Sequence, residues 1–280
     1  MGSWFGTLLK ENGYQVMISD KNRRAGNTIA RKKGFKFVDR LDRSIQSVRL
    51  LVFATPTQIT SQILSRLTTK LPSGILLVEM SSIKEPIRST LQRLGKLRVP
   101  ILSIHPMFGP GTRSLRGRTV LATSIPKRNA QATKILSIFQ RKGARIIRCT
   151  IKEHDYLMSA LLTLPHFLNV AMVKALRVNR FRSKRLRALS GTTFSLQSLI
   201  AEVMHQESPD NVTSILMDAR NSPDILEEYV RQCNEIIKSV RRGNRRRIVD
   251  ALNSNRAYLA RDGGFRKAYW NFNAAVASLR

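Results

Sequence analysis

From residue 14 to about 150, apolar runs of four to seven residues alternate with amphipathic stretches, and after about 150 the alternation stops. The runs YQVMIS, FKFV, RLLVFAT, GILLVEM, VPILSI, TVLATSI and ARIIRC have the length and β-rich content of strands. Between them RRAGNTIARKKG (ending on Gly34), TPTQITSQILSRLTTKL, KEPIRSTLQRLGK and NAQATKILSIFQRKG have helical spacing. A chain built this way buries its strands by covering a sheet with helices, which predicts an α/β fold with a doubly wound, mostly parallel, Rossmann-like sheet. The near-continuous apolar character of LLVFA and ILLV fits strands buried on both faces. Beyond 150, IKEHDYLMSALLTLPHFLNVAMVKALRV and the segments after it keep apolar residues at helical spacing. The expected organisation is a dinucleotide-binding domain over 1–150 and an all-helical domain over 151–280, whose apolar faces predict burial in a homodimer.

The opening GSWFGTLLKENGYQVMISD has the form of a helix and second strand from a dinucleotide-binding unit. There a strand leads into Gly-x-Gly-x-x-Gly, and the helix that follows aims its amides at a pyrophosphate. Gly2 stands where the third glycine would, and Asp20, closing the next strand, where a carboxylate would accept ribose hydroxyls. The preceding strand and the first two glycines are not in this sequence, so the sheet is expected without its first strand. A six-residue central strand burying ~100 Å² per residue contributes about 15 kcal/mol as an upper bound. That matches the whole net stability of a domain, ~5–15 kcal/mol, and leads to the expectation that Met1 is an internal methionine.

Composition narrows the function classes. A hydrophobic content of 42% is that of a folded chain. No apolar run approaches the ~18 residues of a membrane span, and the first residues lack a signal-peptide pattern, so no membrane association is expected. Two cysteines, Cys149 and Cys233, predict a reducing, cytoplasmic setting rather than a disulfide framework, and no zinc-ligand spacing is present. The net charge of +31, from 49 Lys and Arg against 18 acids, would suit a polyanion. Its clusters at 21–24, 31–33, 182–187 and 241–247 are scattered, however, and no RNA-recognition or zinc-finger pattern accompanies them. A basic surface serving small anionic ligands is the expectation, and nucleic acid is not an expected partner.

The segment SIHPMFGPG, residues 103–111, ends a buried strand on a histidine and stiffens the loop beyond it with Pro106 and a Gly-Pro-Gly turn. An imidazole with pKa near 6.5 is a competent base at neutral pH, and a restrained backbone holds it in a fixed geometry. MGSWF, ISDKN, FATPT, EMSSIK, SIHPMFGPG and TLPHF, in this order and spacing, resemble the prephenate dehydrogenase family, most closely its archaeal-type single-function forms. The resemblance covers the chain apart from its basic last forty residues, and HPMFGPG is its most specific element.

The resemblance implies oxidative decarboxylation of prephenate to 4-hydroxyphenylpyruvate with NAD or NADP, a step toward tyrosine. It implies His105 as the base contacting the substrate hydroxyl, and Ser82 as the serine that orients His105 and touches the nicotinamide end. His166 would contact substrate; His154 and His205 have no comparable context and read as surface residues. Thr55 and Pro56 would run beneath the cofactor. Many members clamp a substrate carboxylate with an arginine of the helical domain, yet residues 190–209 hold no arginine or lysine. Thr192, Thr193 and Gln197, or Arg113 after the Gly-Pro-Gly turn, are the alternatives. Asp20 favours NAD by repelling a 2′-phosphate, which Lys21, Arg23 and Arg24 could otherwise receive. The competing readings are another two-domain dehydrogenase (arogenate, β-hydroxyacid or pyrroline-carboxylate type), or a basic nucleic-acid-binding protein that has lost catalysis.

Overall fold

A computed structural model describes residues 1–261 and 263–278. Helix α1 (Gly2–Lys10) precedes the parallel pair β1 (Met17–Ile18) and β2 (Lys36–Phe37), which flank α2 (Arg23–Lys33). The Asn22 side chain accepts the Ala25 amide hydrogen to cap α2, and Gly34 ends it in the left-handed conformation at φ 64° that glycine adopts without a Cβ clash.

After the short α3 (Leu41–Ser44) a second sheet begins, in the order β3 (Leu50–Phe53), β4 (Leu76–Glu79), β5 (Ile101–Pro106), β6 (Thr119–Ser124), β7 (Arg145–Arg148). The connecting helices are α4 (Thr57–Leu67), α5 (Arg88–Lys96) and α6 (Ala130–Arg141). β5 and β6 pair antiparallel, while the other neighbours are parallel. No helix separates these two strands, and a parallel pair needs a crossover.

Alternation along β4 sorts the core into two layers. Leu76 and Val78 join Phe5, Leu8, Leu9, Leu102, Ile104 and Phe139 on the face covered by α1 and α6. Leu77 joins Phe53, Leu64, Leu67, Leu91, Leu94 and Ile101 on the face covered by α4 and α5. The expectation that LLVFA is buried on both faces does not hold. β3 lies at the end of its sheet, so Leu50, Leu51 and Val52 are only half-buried.

The remaining elements are helical: α7 (Ile151–Met158), a π turn (Ser159–Thr163), α8 (Leu164–Val178), α9 (Ser183–Leu189), α10 (Thr192–His205), α11 (Pro209–Met217), α12 (Ser222–Arg241), α13 (Arg245–Leu259) and α14 (Ala268–Ala277). By length and composition Ile151–Val178 could cross a membrane, contrary to the sequence expectation. Its first turns instead hold a buried His154 and Asp155 engaged in hydrogen bonds with protein groups, which lipid could not supply.

Two compact units result. Met1–Met158 with Thr213–Arg220 forms one, and Ser159–Val212 with Asn221–Arg280 the other. In the second, α10 and α12 pack on α8, and Phe167 meets Tyr229 edge-on at 6.2 Å. Both cysteines are free thiols.

Candidate active site

β3, β4 and β5 run parallel with Phe53, Glu79 and Ser103 in register, so the loops that follow them leave one edge of the sheet. That carboxyl edge is where open α/β sheets gather their ligands. It carries Thr55 and Pro56 after β3, Ser81 to Lys84 after β4, and His105 with Pro106 at the end of β5.

His105 is 6% exposed. Its Nδ1 lies 3.0 Å from Nε2 of His154, whose Nδ1 lies 2.6 Å from Oδ1 of Asp155. The Asp155 carboxylate also accepts the backbone amide hydrogens of Lys84 at 2.9 Å and Glu85 at 2.6 Å. His154 is fully buried, so the reading of it as a surface residue is wrong. It stands three residues after Ile151 and four before Met158, with Asp155 beside it on the buried face of α7. The resemblance implies that Ser82 orients His105. Among the described residues the hydrogen bond of that ring is shared with His154, and half-buried Ser82 makes none with it. His205 is exposed, as expected.

A buried ion pair supports the strand beneath the histidine. Lys84 Nζ donates to Glu79 Oε1 at 2.6 Å and to the Ile104 carbonyl at 2.9 Å, and both side chains are essentially inaccessible. Glu79 also accepts from the Ser103 hydroxyl and, at 2.9 Å, from the Ser81 amide. The 81–85 loop thus grips the carbonyl preceding His105 on one side and Asp155 on the other. Burial, then the His154 ring, then the Lys84 charge hold the His105 pKa well below 6.5. Burial likewise lowers the His154 pKa, although Asp155 opposes the shift. Both rings are therefore neutral at neutral pH.

Helix α1 docks on the same edge. A Cβ at Gly2 would lie 3.4 Å from the Ala54 Cβ. The Trp4 indole donates to the Thr112 carbonyl at 3.0 Å, and its ring meets Phe108 edge-on at 5.1 Å. The helix start has no side-chain cap, so its first amides are open to an anion. Asp20 follows β1, exposed, its Oδ1 accepting the Asn22 amide at 2.8 Å. Lys21 and Arg24 are exposed, while Arg23 is paired with Asp39. The Thr55 hydroxyl is bonded to that of Thr60 at 2.8 Å, and Arg113 is exposed in the loop after β5. Uncapped amides, an exposed carboxylate and the buried, unbonded Ser81 hydroxyl fit the polar groups of a dinucleotide.

In the second unit, His166 Nδ1 donates to the Leu162 carbonyl at 2.7 Å, and Nε2 faces Glu207 Oε1 at 3.8 Å. Burial opposes a charge on this ring, but the Glu207 carboxylate and the Leu162 carbonyl outweigh it and raise its pKa. The Gln197 amide donates to Asn169 Oδ1 at 2.8 Å, and Thr192 and Thr193 are exposed in the first turn of α10. Sequence reasoning missed Asp155, Lys84, Glu79 and Glu207. For Asp155 a signal existed: with His154 it falls at helical spacing on the Ile151–Met158 stripe.

Comparison with known proteins converges with this geometry. Residues 5–148 match the family described as prephenate dehydrogenase, nucleotide-binding domain, and residues 150–254 match prephenate dehydrogenase, dimerization domain. A probable arogenate/prephenate dehydrogenase of Methanocaldococcus jannaschii is 25% identical over 99% of this chain and 62% of its own length. The T-protein of Enterobacter agglomerans is 24% identical over 90% of this chain and 63% of its own. The chain therefore spans about three fifths of the length of these curated relatives. The fold is that of the Aquifex aeolicus prephenate dehydrogenase solved in complex with hydroxyphenyl propionate and NAD+: TM-score 0.73, 17% identity, covering 92% of this chain and 93% of that one. Synechocystis arogenate dehydrogenase is also similar, with TM-score 0.62 and 17% identity over 91% of this chain and 95% of that one. With both family domains matched in order along most of its length, the chain belongs to the prephenate dehydrogenase family.

Proposed function

We propose that this protein oxidises prephenate to 4-hydroxyphenylpyruvate with release of carbon dioxide, using NAD. The observation that carries the reading is a neutral, buried His105 at the carboxyl edge of the sheet, tied through His154 to Asp155 in a member of this family. His105 takes the proton of the ring hydroxyl, which lets the developing carbonyl drive hydride departure. A bound nicotinamide supplies the hydride acceptor. The α1 amides would hold the pyrophosphate and Asp20 the adenine ribose. Asp20 repels a 2′-phosphate and Arg23 is engaged with Asp39, so NAD is favoured over NADP.

His166, raised in pKa, acts as a cation toward a substrate carboxylate, a role the lysine- and arginine-free segment 190–209 leaves open. Gln197, Thr192, Thr193 and Arg113 are further substrate contacts in this reading. Ser82 meets the nicotinamide end, and Thr55 and Pro56 underlie the cofactor. The second unit forms a homodimer through exposed apolar residues such as Leu199, Ile200, Val203, Ile236 and Ile237.

Turnover followed at the reduced-nicotinamide absorbance, with prephenate or arogenate and NAD or NADP, tests the assignment. Prephenate with NAD is expected to be preferred. Oxidation of arogenate alone would overturn the substrate, and oxidation of neither would overturn the activity.

The two histidine shifts predict the pH profile of kcat/KM. His105 must be neutral and its pKa is depressed, so the acid limb lies below pH 6.5. His166 must be charged and its pKa is raised, so the alkaline limb lies above pH 6.5. An acid limb above 6.5 would argue against His105 as the base.

A further inference from the structure

We infer that His154 and Asp155 are positioning residues that fix the tautomer of His105, leaving its Nε2 as the nitrogen that takes the substrate proton. The argument is one of donors and acceptors. Asp155 accepts amide hydrogens from Lys84 and Glu85, so as a carboxylate it can only accept from its third neighbour. His154 Nδ1, at 2.6 Å, must therefore carry a hydrogen. A neutral imidazole has one N–H, so His154 Nε2 presents a lone pair. That lone pair faces His105 Nδ1 at 3.0 Å, which must then be the donor. The single remaining lone pair of the neutral His105 ring is on Nε2. Among the described residues nothing hydrogen-bonds to that atom.

The arrangement also handles the charge that forms. When Nε2 takes the hydroxyl proton, the Nδ1 hydrogen still points at His154, and it can pass to His154 Nε2. The positive charge then moves next to the Asp155 carboxylate. No atom is gained or lost in this shift, which transfers one proton between two nitrogens. His154 and Asp155 touch neither substrate nor cofactor in this scheme. They act through His105, as a carboxylate that orients a catalytic imidazole does.

Asp155→Asn inverts the pattern. The Asn oxygen stays on the two backbone amides, which can only donate, and turns the NH2 group toward His154 Nδ1. His154 becomes the Nε2–H tautomer and forces a lone pair onto His105 Nδ1, leaving Nε2 protonated and unable to act as a base. Nitrogen-15 NMR of the histidine-labelled full chain reads this directly. The chain has four histidines, and His105→Asn identifies the signals of the first. The expected spectrum has His105 as Nδ1–H in the parent and as Nε2–H in Asp155→Asn.

The kinetic part rests on the proposed prephenate oxidation. There kcat is expected to fall roughly a hundredfold or more in Asp155→Asn, with KM within about threefold. His105 found as Nε2–H in the parent, or unchanged between parent and variant, would overturn the inference. So would an unchanged kcat beside an inverted tautomer. Should Asp155→Asn not fold, the parent spectrum decides, together with His154→Ala. There, freed of its acceptor, His105 is expected to revert to the Nε2–H form that isolated histidine favours. A chain that turns over no prephenate but shows the expected tautomers refutes the activity and leaves the relay standing.

Discussion

Replacing His105 with asparagine is expected to lower prephenate turnover by roughly a hundredfold or more while NAD affinity stays nearly unchanged. The amide is close in size and can still meet His154, so the end of β5 keeps its shape. What it lacks is a nitrogen able to take a proton, and lost general-base catalysis is worth roughly 10²–10⁴. The cofactor contacts assigned to Asp20, the α1 amides and Thr55 lie on other segments, so a thermal shift on adding NAD should survive. Steady-state kinetics beside that thermal shift check both halves. Near-normal turnover would remove His105 from its role. Loss of NAD binding together with turnover would mean the residue holds the loop rather than the proton.

The second large effect concerns stability. Lys84→Met is expected to destabilise the first unit by about 3–5 kcal/mol, because it leaves the Glu79 carboxylate buried without its cation. It also removes the hydrogen bond to the Ile104 carbonyl, which is otherwise buried in β5. At ~2–4 °C per kcal/mol for a unit of this size, the melting temperature should drop by roughly 6–20 °C. Pairing the change with Glu79→Leu should recover much of the loss, since an apolar pair of similar volume is often as stable as a buried ion pair. Thermal unfolding of the two variants beside the parent decides it. A single variant as stable as the parent would show that Glu79 reaches water or a proton by another route.

Much of the fold was legible because the sheet's requirements are local. Asn22 and Gly34 mark the two ends of α2. The seven apolar runs all became strands, since each is flanked by turn residues and helical periods. The antiparallel turn between β5 and β6 needed no more than noticing that no helix separates them. What sequence could not show is which strand would lie at the end of a sheet. LLVFA is as apolar as ILLV, yet only the second is covered on both faces.

The site divides in the same way. His105 was visible because prolines and glycines around it restrict backbone choices, a feature written in consecutive residues. Its partner was not, because His154 lies 49 positions later and the two meet only through packing. A histidine followed by an aspartate on a helix has the look of a wet surface pair. It becomes a buried relay only because two amides of the 81–85 loop arrive to satisfy the carboxylate. Lys84 misleads in the same manner, reading as one more cation of a basic chain while standing fully inside it.

The tether from Trp4 to the carbonyl of Thr112 sets a timetable for the nascent chain. The indole is made 108 residues ahead of the oxygen it binds. At ~5–20 residues per second of synthesis, that is a wait of about 5 to 20 seconds. Throughout it, the aromatic side chains of the first helix have no loop to rest against. A chaperone that samples emerging apolar segments would have that interval in which to hold this helix, well before the ribosome has produced the strand that carries the base.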